Sequence, residues 1–375
     1  MLQADVFCRV VDNFGDIGVT WRLVRQLQRE HHWSVRVWVD DLKSFQRLEA
    51  RVNVHALQQV IDHIEIIHWA DPAPDLIPYP IVLCNFSCDL PATYIEQLHQ
   101  RPALWVNLEY LSAETWVEGC HGLPSLRGDG LSSYFFFPGF HANTGGLLRE
   151  GDLLTRRDSW QKNLDGQRQM LERLGVSGAA LAALSTPTQA ARLLTLFCYP
   201  HAPTTQLLEA LCADSRASIV LIPEGIAPEL TTGRLGQLKQ VYIERIPFVS
   251  QLEYDQLLWM ADLNFVRGED SVVRGLWAGR PLVWQIYPQT EGTHLIKLEA
   301  WLEMSGLPQE VKTLLRSWNT DPSGAADLSP QLSHGLSQEA YAQWSSHALA
   351  LSHTLAQEVD FAQALHDFCA SKITP

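Results

Sequence analysis

Short apolar runs alternate with helical spacings along most of this chain. Ala4–Val11 is rich in valine and predicts a strand. Val19–His31 places Trp21, Leu23, Val24 and Leu27 at helical spacing, and Ser34–Val39 reads as a second strand. Further strands are expected at Ile64–His68, Ile81–Asn85 and Ala103–Leu108. A second series begins with a strand at Arg192–Tyr199, a helix at Thr204–Ala213 and a strand at Ala217–Ile222. It continues with strands at Val241–Ile246, Leu263–Val266 and Pro281–Ile286, separated by helices at Tyr254–Met260 and Ser271–Ala278. Strands alternating with helices imply βαβ units and mostly parallel sheets. The expected architecture is therefore two doubly wound α/β halves. In such sheets ligands sit at the carboxyl ends of the strands, so the loops after Val11, Tyr199, Ile246 and Val266 are where chemistry is expected.

Between the two series the pattern weakens. A helical stretch near Trp160–Leu174 runs into the small-residue segment starting at Gly175, which predicts a domain boundary between about 175 and 190. That gives a first domain over 1–180 and a second over 185–356. Residues 110–160 are irregular and carry the aromatic run Tyr134–Phe140, which suits either a functional loop or an aromatic strand plugging the core. The C-terminal quarter reads as helical, interrupted at Thr320–Gly324.

Composition narrows the function classes. The chain has 375 residues, enough for two domains, and no run approaches the ~18 apolar residues of a membrane span. The N-terminus lacks the basic start of a secretory signal, so a cytoplasmic location is expected. Seven scattered cysteines argue against a disulfide framework, and the Cys84/Cys88 pair has no second pair to complete a zinc site. A net charge of −14 disfavours nucleic-acid binding and suits a cationic partner, although it also serves solubility.

Three constellations carry candidate chemistry. In Asp12-Asn13-Phe14-Gly15-Asp16-Ile17-Gly18, two glycines permit tight turns, and two acids stand where a dinucleotide fold would hold phosphate. Paired carboxylates there fit a cationic acceptor or a general base; equally, Asp16 can cap the helix and Asp12 close a turn. In Arg267-Gly268-Glu269-Asp270-Ser271, Ser271 or Asp270 can cap a helix whose first amides suit a diphosphate. Arg267 can clamp phosphate oxygens and Glu269 can accept from sugar hydroxyls. The alternative there is a capped helix with a surface ion pair. Finally, Phe197, Tyr199, Phe248 and Tyr254 can stack on a nucleobase, with Gln251 reading its edge, or can simply be core.

The segments DNFGDIGVTWRL, LFCYP, PFVSQLEYDQLLW and FVRGEDSVVRGLWAGRPLVWQIYPQ together resemble the EarP family, arginine rhamnosyltransferases acting on translation elongation factor P. The resemblance covers nearly the full length. It implies a GT-B fold, two facing Rossmann-like lobes with a C-terminal helix, about 357–375, crossing back to the first. The first lobe would bind the acceptor and the second the nucleotide sugar. It also implies a dTDP-β-L-rhamnose donor and inverting transfer to an arginine of elongation factor P, which activates that factor for rescue of polyproline-stalled ribosomes. By motif, Asp12 and Asp16 match the essential acids. Phe197, Tyr199, Phe248, Gln251, Tyr254, Arg267, Glu269, Asp270 and Ser271 match the donor site, with Tyr254 standing where phenylalanine is usual. Neither a cofactor nor a metal is expected, and no nucleic acid or membrane partner. The competing readings are a GT-B enzyme with another sugar or acceptor, a sugar-nucleotide epimerase, and a non-catalytic elongation-factor-binding protein.

Overall fold

Alternating burial does not shape the first strand: in Gln3–Cys8 every residue but Gln3 is buried, as expected for a parallel strand covered on both faces. The computed structural model describes residues 1–12, 14–70, 73–185, 190–230, 240–289, 292–320 and 328–373. Asn13 and most of the interruption expected at 320–324 lie outside them, as do residues 186–189 of the expected boundary.

The chain divides into two compact units, Met1–Gly151 with Leu355–Pro375, and Asp152–Thr354. The first unit holds β1 (Gln3–Cys8), β2 (Ser34–Val39), β3 (Gln58–Ile61), β4 (Ile64–His68), β5 (Ile81–Asn85), β6 (Leu104–Leu108), β7 (Pro124–Leu126) and β8 (Ser132–Phe136). They form one sheet in the order β3-β4-β2-β1-β5-β6-β8-β7, parallel except for the β3–β4 and β7–β8 pairs. The irregular region thus supplies a strand: Tyr134, Phe135 and Phe136 lie in β8. The helix Gly15–His31 and the C-terminal helix Phe361–Ile373 share one core with this sheet, through Trp21, Leu27, Phe361 and Leu365 among others. Gln26 donates to Asp360 at 3.0 Å and Trp33 to His366 at 2.8 Å, which pins the C-terminal segment to this unit.

The second unit holds β9 (Arg192–Leu196), β10 (Ser218–Pro223), β11 (Val241–Ile246), β12 (Leu263–Arg267) and β13 (Leu282–Gln285), all parallel, in the order β11-β10-β9-β12-β13. Its first residue is Asp152, well before the boundary expected from small residues at 175–190. The reason is packing. Trp160 donates to Gln256 O at 3.0 Å, and Gln161 to Trp259 O at 3.0 Å. Met170, Leu171 and Leu174 enter the same core as Leu193 and Ile219. The glycine- and alanine-rich stretch forms a helix, Gly178–Leu184, whose cap Ser177 accepts from Ala180 N–H.

All seven cysteines are free thiols, with Cys8, Cys84, Cys198 and Cys369 buried and Cys212 exposed.

Candidate functional site

In each sheet the strand order reverses at one point, between β1 and β5 and between β9 and β12. In open α/β sheets such points, at the carboxyl ends of the strands, are where ligands bind. Asp12 and Asp16 follow β1 at the first of these switch points; Phe197, Tyr199 and Arg267 to Ser271 lie at the second, where Tyr254 meets Phe197, whereas Phe248 and Gln251 follow β11 at the edge of that sheet.

At the first, the chain leaves β1 at Cys8 and enters a helix at Gly15. Asp16 is therefore inside the first turn and does not cap the helix; the capping position is Phe14, with no side-chain bond. The Asp16 carboxylate instead turns back to the loop. Its Oδ2 accepts the N–H groups of Val11 at 2.7 Å and of Asp12 at 2.9 Å. Asp12 also closes a turn, its carbonyl accepting from Gly15 N–H at 2.6 Å. A Cβ on Gly15 would lie 2.8 Å from Asp12 Oδ2, so glycine leaves room for that carboxylate. Burial pushes the Asp16 carboxyl above its ordinary range, against the two backbone N–H bonds, which lower it, and with help from the nearby Asp12 charge.

Three residues outside the sequence-predicted set brace this loop. Asp40, just beyond the end of β2, accepts from Val10 N–H at 2.9 Å. Thr20 donates to Asp16 O at 2.7 Å, and Asn85, at the end of β5, donates to Thr20 Oγ1. For Asn85 and Asp40 the usable signal is a polar residue directly after an apolar run, as in IVLCN and VWVD.

At the second switch point, β9 runs out at Leu196 and presents Phe197 and Tyr199. Arg267, the last residue of β12, lies against both: its guanidinium carbon is 4.3 Å from the Phe197 ring centre and 4.7 Å from that of Tyr199. Its Nη1 donates to Cys198 O at 3.0 Å. In this state the two aromatic residues receive a guanidinium. Tyr254 meets Phe197 edge-on, with ring centres 5.7 Å apart, and burial holds its phenol well above the ordinary range. Gln251, buried, opens the helix Gln251–Met260, which Ser250 and Glu253 close with a capping box. Phe248 is half-buried just before that helix.

The helix after β12 begins at Gly268, earlier than periodicity predicted, with Glu269 and Asp270 in its first turn. Neither Asp270 nor Ser271 caps it. Ser271 Oγ accepts from Arg267 N–H at 2.9 Å and donates to Arg267 O, so the serine fixes the strand end that carries the arginine. Underneath, the fully buried pair Arg274–Asp255 joins the two helices through two bonds, at 3.0 and 2.6 Å.

Among the described residues no group of three or more His, Cys, Asp or Glu side chains is placed to hold a metal, and no helix is long and apolar enough to cross a membrane.

Two Rossmann-like units with polar residues at both switch points match the GT-B fold. UGT89C1 of Arabidopsis thaliana, complexed with UDP-L-rhamnose, has the same fold at 12% identity, with a TM-score of 0.56 over 98% of each chain. The family signature of the Elongation-Factor P (EF-P) rhamnosyltransferase EarP matches residues 4–370, and the chain belongs to that family. A protein-arginine rhamnosyltransferase of Pseudomonas aeruginosa is 44% identical over 337 residues, covering 85% of this chain and 87% of its own. A solved structure giving the basis for EarP-mediated arginine glycosylation of translation elongation factor EF-P is 30% identical, with a TM-score of 0.66 over all of both chains.

Proposed function

We propose that this enzyme transfers L-rhamnose from dTDP-β-L-rhamnose to an arginine side chain of elongation factor P, with inversion, in the cytoplasm. The observation that carries the reading is the acid pair Asp12 and Asp16 at the switch point of the first unit, in a chain of this family. Arginine is a poor nucleophile: with a pKa up to ~13.8, full deprotonation at pH 7 costs about 9 kcal/mol. Proton loss must therefore accompany attack. Asp16, whose carboxyl is raised by burial, is the base, and Asp12 orients the guanidinium and offsets its charge.

In this reading the second unit holds the donor. Phe197, Tyr199, Phe248 and Tyr254 surround the nucleobase, and Gln251 reads its edge. Arg267 clamps the diphosphate from its place beside Tyr199, and the first amides of the helix at Gly268 share the leaving-group charge. Glu269 accepts from sugar hydroxyls, Asp270 lines the same turn, and Ser271 keeps Arg267 in place. No metal takes part.

The test is intact-mass measurement of elongation factor P after incubation with the enzyme and dTDP-β-L-rhamnose. A gain of one deoxyhexose, mapped to an arginine, is expected. Unmodified acceptor with an enzyme that binds dTDP would reject this acceptor; no binding of dTDP would reject the donor.

A further inference from the structure

Strand β13 ends in Gln285, which has no exposed surface and follows the apolar Leu282, Val283 and Trp284. The register sets it beside Arg267 of β12, at the carboxyl edge of the sheet. Strand β9 lies on the far side of β12. The Gln285 side chain nevertheless reaches the loop after β9, where Oε1 accepts Tyr199 N–H at 2.7 Å. A backbone N–H can only donate, so the amide's orientation is fixed, with oxygen toward Tyr199 and nitrogen away. That nitrogen, Nε2, is buried and has no hydrogen-bond acceptor among the described residues. A buried donor without an acceptor is a cost to the fold, which an apolar side chain of the same size would avoid. The unmatched Nε2–H thus offsets what Oε1 gains by satisfying Tyr199 N–H, and little net stability is left to account for glutamine here.

The bond that Gln285 does make bears on the donor side. The Cys198–Tyr199 backbone carries both groups that hold Arg267: the Cys198 carbonyl, which accepts its Nη1, and the Tyr199 ring, which lies against its guanidinium. One hydrogen bond from β13 thus sets the place of the arginine's two supports. We infer that Gln285 is a positioning residue of the nucleotide-sugar site, acting through Tyr199 and Arg267. The inference rests on the donor-site reading given above.

The test is Gln285→Met in the full chain. Losing Oε1 strips Tyr199 N–H of its acceptor, and losing Nε2 removes an unmatched donor. These effects are of one kind and opposite in sign, so the melting temperature is expected to stay near that of the parent. Amide exchange is expected to quicken over residues 197–202 and nowhere else in the sheet. The dissociation constant for dTDP, measured by calorimetry, and the KM for donor are expected to rise by about tenfold, what one ordinary hydrogen bond is worth. The kcat and the KM for acceptor are expected to change by less than about twofold on the same argument. Local loosening at 197–202 with dTDP affinity unchanged overturns the proposal. So does a fall in melting temperature with exchange quickened through the whole sheet, which marks a merely structural role. If the parent enzyme itself fails to bind dTDP, the donor-site reading falls first, and this inference with it.

Discussion

Asp16 accepts the backbone N–H of Asp12 at 2.9 Å, so one acid of the pair fixes the backbone of the other. The same oxygen also takes Val11 N–H. Because both loop amides go to Oδ2, an asparagine can accept both with its single carbonyl oxygen and keep the loop in shape.

Asp16→Asn is therefore expected to fold normally and lose turnover by about 10²–10⁴-fold, the worth of a general base. The stability sign follows from the shift. The folded carboxyl titrates above its unfolded value, so its ionisation costs stability at neutral pH, and that cost vanishes below the ordinary carboxylate range. The variant should melt at or above the parent temperature at pH 7.5, with the difference shrinking in acid. In the parent, turnover should fall as pH drops through the raised Asp16 value. Single-turnover rates at saturating donor, beside thermal melts at both pH values, check this. Near-parental turnover in the variant would remove Asp16 as the base.

Gly15→Ala should separate geometry from stability. The new methyl would lie 2.8 Å from Asp12 Oδ2, and the carboxylate must move aside. Alanine does not weaken a helix start relative to glycine. We expect an unchanged melting temperature and a KM for elongation factor P raised by roughly tenfold, the scale of a misplaced charged contact. Unchanged acceptor kinetics would show that the position of Asp12 is not used.

Arg267→Lys keeps the charge but loses the planar group that lies against Phe197 and Tyr199. Its ammonium cannot give two parallel bonds to a diphosphate. Calorimetry should show dTDP binding weakened by roughly ten- to a hundredfold, as for a lost charged hydrogen bond, with thymidine affected far less. Equal losses for both ligands would point to a collapsed pocket instead.

Turnover should persist in excess EDTA, because Arg267 and the amides at Gly268 are proposed to carry the leaving-group charge. Mass spectrometry of the acceptor reads the outcome. Activity lost in EDTA and restored by magnesium or manganese would assign a metal to the reaction.

The sequence by itself determined the alternation of strands and helices, and with it the two α/β units. A parallel strand buried on both faces reads as an apolar run, as in Ile81–Asn85, and Ile64–His68 and Val241–Ile246 also fall where the strand pattern puts them. It also brought Phe197, Tyr199 and Arg267 to strand ends and Asp12 and Asp16 to the passage from the first strand into the first helix, since a loop's place follows from the strand before it. Tertiary structure decided the rest. Small residues at 178–184 look like a linker but form a capped helix, because the packing of Trp160, Gln161 and Met170 draws the preceding helices into the second unit. The aromatic run Tyr134–Phe140 left loop and strand both open, because its residues lack a two-residue period; pairing puts Tyr134, Phe135 and Phe136 in β8. The Asp16 side chain could have capped a helix on sequence grounds; only the folded loop, with two amides converging on one oxygen, shows that it anchors the backbone of Asp12. Gln285 reaches Tyr199 across an intervening strand, 86 residues away in the chain. Local patterns fix periodicity and burial, whereas contacts between distant strand ends depend on sheet order, which no local pattern encodes.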